Sequence, residues 1–192
     1  TSRNVAYDLT PYNETLLMDT DYILANNVLI NCFEQNSDLM MYNMATDLAG
    51  WRDFSEFSHI SPNGIDFYWA TIVFFRKTKV NKIFFDLVGH IKDNWYHYKV
   101  VYKIMNPTFR NDFAFSIAAH IMNGYMRNNF VNPLPGKKYV SLDNDICIGI
   151  DNNKFNFLVQ KEASADYFPV STKEQNVHIM NKFSLNRIID ES

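Results

Sequence analysis

The sequence predicts a mixed α/β domain, a mixed sheet with flanking helices. Three observations lead there. Short apolar runs bounded by turn formers, from Thr15–Met18 to Val177–Met180, read as buried strands. Two longer stretches, Asn81–Tyr98 and Phe109–Met126, carry apolar residues at helical spacing. Aromatic residues make up 16% of the chain, 16 Phe and 11 Tyr among them, which suits sheets and ring-lined pockets. With 192 residues and 47% apolar content, the chain is sized for one domain with a sizeable core.

Each element has its own signal. Residues 1–13 are polar, with Pro11 as punctuation. Thr15-Leu16-Leu17-Met18 is a short apolar strand that stops abruptly at Asp19-Thr20-Asp21. Tyr22–Phe33, with Ile23, Val28, Leu29 and Ile30, reads as a strand end plus a short helix, and Asp38–Tyr42 as a second buried strand. Met44–Gly64 holds Gly50, Trp51, Pro62 and Gly64 and reads as a long loop or lid; loops of that length are usually functional. Phe67–Phe75 is the most strand-like segment and ends in Arg76-Lys77. Ile83, Phe84, Leu87, Val88, Ile91 and Trp95 give the first helix one buried face. Phe113, Ile117, Ala118 and Ile121 do the same for the second, with Asn111 or Asp112 near its first turn, where an acid suits the helix dipole. Pro133, Pro135 and Gly136 mark a turn. Val140–Leu142, Ile146–Ile150 and Phe155–Val159 suggest a small antiparallel hairpin, with Asp151-Asn152-Asn153 as its tight turn. Val177–Met180 is the last strand, and Ser184–Ile189 a closing helix. The order β, α, β, β, α, α, hairpin, β, α belongs to a mixed α/β chain.

Charge and composition exclude several classes. Net charge is −3 and no basic block tracks a phosphate backbone, so no nucleic acid partner is expected. A nucleotide remains compatible, since a metal can neutralise its phosphates. No apolar run is long enough for a membrane span and no signal peptide is seen, which predicts a cytoplasmic protein. Cys32 and Cys147 are far apart and fit no zinc spacing; they read as two buried small hydrophobes in a reducing compartment.

The chemistry concentrates at two places. Carboxylates at the end of a buried strand cost desolvation energy unless a positive partner meets them. For Asp19 and Asp21 that partner is a divalent cation, or else the pair is a solvated strand end. His178 lies inside the last apolar strand, with Lys182 four residues later. By itself His178 reads as a satisfied core histidine. Joined to Asp19 and Asp21 it completes an O,O,N set suited to Mn²⁺ or Mg²⁺, with Lys182 placed to meet an anion that the metal also holds.

The strand into Asp-Thr-Asp and the late His178-x-x-x-Lys182 resemble the nucleotide-sugar glycosyltransferases of the GT-A fold. The likeness is greatest to family eight, the galactosyltransferase and glycogenin-like type. Leu16 to Leu24 (LLMDTDYIL) is similar to that family's "LLYLDADVLV", and Tyr68 to Lys77 stands where "FNAGVMLF" and a basic turn are found. Arg110-Asn111-Asp112 resembles the Asp-Gln-Asp that opens a helix, and His178-Ile179-Met180-Asn181-Lys182 echoes the closing His-to-Lys motif. The chain departs from the pattern at Thr71, where the family has glycine, and beyond Lys182, where no Pro-Trp follows.

The resemblance implies a GT-A-like fold and one glycosyltransferase-like domain over residues 1–192, without the family's N-terminal nucleotide-binding strands. It implies a metal-dependent transferase that takes a nucleotide-diphosphate sugar, a UDP-sugar favoured, to a carbohydrate or other hydroxyl acceptor. Asp19, Asp21 and His178 would hold Mn²⁺ (or Mg²⁺). Asp19, Thr20, Asp21, Lys182 and Arg3 would bind the donor, and Asp112 would be the catalytic residue, orienting a sugar hydroxyl or stabilising the positive anomeric carbon. Trp51 and Trp69 would wall an acceptor site or pack in the core, and Met44–Gly64 would be the lid. Two rivals share the first motif. One is a haloacid-dehalogenase-like phosphatase with Asp19 as nucleophile and a further acid at Asp143 or Asp145. The other is an inactive sugar-binding module of the same fold.

Overall fold

Strands form where the apolar runs are shortest and most sharply bounded, and they position everything else. The computed structural model describes residues 3–60, 64–106, 108–126, 130–161 and 166–191. In chain order the elements are α1 (Ala6–Leu9), β1 (Glu14–Met18), β2 (Tyr22–Ile23), β3 (Leu39–Tyr42), β4 (Thr46–Asp47), β5 (Trp69–Arg76), α2 (Lys79–Asp93), α3 (Trp95–Val101), α4 (Asn111–Met122), β6 (Asn132–Pro133), β7 (Tyr139–Ser141), β8 (Ile146–Asp151), β9 (Lys154–Gln160), β10 (Tyr167–Lys173), β11 (Val177–Ile179) and α5 (Lys182–Glu191). This is a mixed α/β protein with mixed sheets and helices. Two compact units make up the chain. The first comprises Thr1–Met18, Asn31–Met44 and Glu56–Leu134; the second comprises Asp19–Ile30, Ala45–Ser55 and Pro135–Ser192.

In the first unit the sheet order is β1-β5-β3-β6. β5 pairs antiparallel with β1 and β3, and β6 adds parallel to β3. Trp69 to Phe75 are all buried, so β5 reads as a continuous apolar run rather than an alternating one. α2 and α4 supply rings to this core: Phe85 lies 4.7 Å from Phe75, and Phe84 5.6 Å from Phe115. α2 begins at Thr78, whose hydroxyl accepts the Asn81 N–H at 3.2 Å. The single helix expected over Asn81–Tyr98 is two. Asn94 (φ −110°, ψ 32°) separates α2 from α3; its backbone N–H and its side-chain amide both donate to the His90 carbonyl, closing the last turn.

In the second unit one sheet runs β2-β11-β7-β4, antiparallel between β2 and β11 and parallel elsewhere. A second, antiparallel sheet runs β10-β9-β8. Phe155, Phe157 and Val159, alternate residues of β9, share a core with Cys147, Val177, Ile179 and Leu185. The β8–β9 hairpin turns on Asn152 (φ 44°) and Asn153 (φ 61°), two successive left-handed residues as a type I′ turn requires. β10 has no counterpart in the sequence reading. Its Pro169 argues against a strand interior, yet β10 lies at the sheet edge, where proline is tolerated. The long loop expected over Met44–Gly64 contains β4 and a 3₁₀ turn, Ser55–Ser58; residues 61–63, Pro62 among them, lie outside the described residues. Gly136 adopts φ 81°, so the turn expected there depends on glycine. Among the described residues no helix is long and apolar enough to cross a membrane.

Candidate metal centre

The centre is assembled within the second unit from two sequence-distant segments. After β1 the chain turns sharply: the Tyr22 N–H donates to the Asp19 carbonyl at 3.2 Å, with Thr20 exposed at the tip. The chain then enters β2, where Tyr22 stands opposite His178 of β11, and the Ile179 N–H donates to the Asp21 carbonyl at 2.9 Å. β11 is an interior strand, flanked on its other side by β7. The His178 ring therefore spans from one neighbouring segment to the other. Its Nε2 is 3.3 Å from Asp21 Oδ1, and its Nδ1 is 3.0 Å from the Nζ of Lys138, the residue before β7. One ligand atom from each of Asp19, Asp21 and His178 lies within 4.8 Å of the others. Asn181 then caps α5, its Oδ1 accepting the Ser184 N–H at 3.1 Å, which makes Lys182 the first helical residue. Lys182 Nζ reaches Asp21 Oδ2 at 3.2 Å.

Electrostatics favour an ionised Asp21. Burial alone would push its carboxyl up, but His178 and Lys182 more than offset this and hold it at about 2. Its Oδ1 is buried and, among the described residues, accepts no hydrogen bond of good geometry; only the ion-pair contact with His178 meets it. A buried carboxylate oxygen left short of a donor, a second carboxylate and an imidazole nitrogen form a donor set that fits a hard or borderline divalent ion. Lys138 is 1% exposed, and its Nζ also lies 5.8 Å from the Tyr22 ring centroid. Lys138 Nζ and His178 Nδ1 share one hydrogen bond, and Nε2, which faces Asp21, is the ring nitrogen that would meet a metal.

Arg3 and Asp112 belong to the first unit. Arg3 opens a 3₁₀ turn, Arg3–Val5, ahead of α1. Asp112, in the first turn of α4, accepts the Ala70 N–H through Oδ1 at 2.8 Å, and its Oδ2 accepts from Arg110 Nε at 3.0 Å and Nη2 at 2.6 Å. Oδ1 thus ties α4 to the start of β5, while Oδ2 holds Arg110, the residue before the helix. Trp69 is 1% exposed and packs at 5.2 Å on Phe67, so it is a core ring. Trp51 is 50% exposed, edge-on to Phe168 at 5.9 Å.

Sequence reasoning missed two buried basic residues. Lys138 is one. Arg52 is the other, locked between two buried carboxylates: Nε and Nη2 donate to Asp47 Oδ1, and Nη1 and Nη2 donate to the two oxygens of Asp145. Asp47 Oδ2 also accepts the N–H groups of Trp51 and Arg52, and Asp145 those of Leu142 and Gln160. Asp145 has no oxygen left for a metal, and Asp143 is exposed. Neither residue carries a local signal, since each stands beside a turn and has a partner distant in sequence, His178 for Lys138 and Asp145 for Arg52. No protein-family model, curated protein or solved structure matches the chain.

Proposed function

We propose that the chain is a metal-dependent glycosyltransferase of the GT-A type, with a nucleoside-diphosphate sugar, first of all a UDP-sugar, as donor and a carbohydrate or other hydroxyl as acceptor. The observation that supports this reading is the convergence of Asp19, Asp21 and His178 from opposite ends of the chain, with Lys182 beside them. Asp19 and Asp21 supply two hard oxygens and His178 a nitrogen to Mn²⁺ or Mg²⁺. When bound, the ion supplies Lewis-acid stabilisation to a leaving diphosphate. Lys182 meets the diphosphate as a point charge, and Thr20 is exposed at the turn between the two acids.

Calorimetry with UDP and GDP, first in Mn²⁺ and then in EDTA, tests the reading. UDP is expected to bind in Mn²⁺ and to be released by EDTA, and a variant carrying Asp19→Asn and Asp21→Asn is expected to bind neither metal nor nucleotide. Failure of both nucleotides to bind in any condition rejects the reading. Binding without turnover of any UDP-sugar would favour the inactive module instead.

A further inference from the structure

We infer that Lys182 competes with a metal for Asp21 and passes to the diphosphate when metal and nucleotide enter together. The inference rests on the metal reading above. Asp21 is buried, and a bare carboxylate there is costly, so its oxygens need partners in every state. Oδ1 faces His178 and Oδ2 faces Lys182. A divalent ion seated on Asp19, Asp21 and His178 would share the Asp21 carboxylate with the Lys182 ammonium, 3.2 Å from Oδ2, and like charges at such range repel.

Among the described neighbours of Asp21, Lys182 is the one placed to yield. His178 is fixed in an interior strand, and Lys138 is buried behind it. The Lys182 side chain is 69% exposed, on a long flexible stem at the first position of α5. Metal alone must therefore displace an ion pair and leaves the ammonium with no anion to meet. Metal with a diphosphate supplies that anion, so each ligand strengthens the other's binding, reciprocally. The site takes the metal–diphosphate complex as a unit and binds the bare ion weakly.

Mn²⁺ uptake, followed by the spin-resonance signal of the free ion, tests this without a turnover assay. The proteins are the wild type, Lys182→Met, Lys182→Arg and Asp19→Asn, each with and without UDP. Lys182→Met is expected to bind Mn²⁺ alone roughly fivefold more tightly, since the competing cation is gone. In that variant UDP should raise Mn²⁺ affinity about tenfold less than in the wild type. Lys182→Arg, which keeps the charge, should behave as the wild type. Mn²⁺ affinity unchanged or weakened in Lys182→Met, or an undiminished gain from UDP, overturns the exchange while leaving the metal reading intact. No uptake by the wild type even with UDP, or uptake that survives Asp19→Asn, overturns the metal reading and the exchange with it.

Discussion

Asp21 shows how one buried carboxyl couples the centre to stability. Its folded value of about 2 lies below the 3.8 of the free side chain. A depressed folded value contributes stability that is fully present above pH 4 or so and is lost as pH falls toward 2. For Asp21 this amounts to roughly 2 kcal/mol. Urea unfolding at pH 6, 4 and 2.5 should show that loss, and Asp21→Asn should flatten this part of the profile; an equal slope in both proteins would refute the assignment. Arg52 gives a sharper case. Arg52→Met strands two buried carboxylates and is expected to cost roughly 3–5 kcal/mol in urea unfolding. Adding Asp145→Leu should not restore it, because the Leu142 and Gln160 N–H groups then lose their acceptor. The acids and His178 of the centre were legible because each stands at the end of, or within, a short apolar run whose strand character is plain. Lys138 and Arg52 were not, because a basic residue beside a turn looks the same whether solvent or a distant carboxylate receives it.

Among the elements, strands were read better than the joints between helices. The apolar spacing of α2 continues through Trp95, so periodicity alone joins α2 to α3; the hydrogen bonds of Asn94 to the His90 carbonyl end the helix, and they leave no hydrophobic trace. β10 was missed for the converse reason: Pro169 spoils the pattern of a strand that is stable only as the edge of an existing hairpin. The hairpin itself is testable at its turn. Asn153 has φ 61°, so Asn153→Gly should leave stability unchanged or raise it by roughly 0.5 kcal/mol, while Asn153→Val should lower it by about 1–2 kcal/mol in thermal unfolding. Equal effects of the two substitutions would show that the turn is not the type I′ turn described.

At the scale of the whole molecule, the two units each draw on three stretches of chain, so no single backbone cut separates them. Length and composition carry no sign of this: four of the five passages between the units contain neither Pro nor Gly at the crossing, and the fifth, at Leu134–Pro135, reads as an ordinary turn. The division also distributes the cysteines. Cys32 lies in the first unit and Cys147 in the second, each with no exposed surface. Burial pushes the Cys32 thiol up to about 11 and raises that of Cys147 as well. Each unit thus contains one silent clock. A thiol-tagging reagent at pH 8 should mark neither cysteine in the native protein, and in rising urea the mass-resolved order of tagging will give the order in which the units open, with no probe introduced.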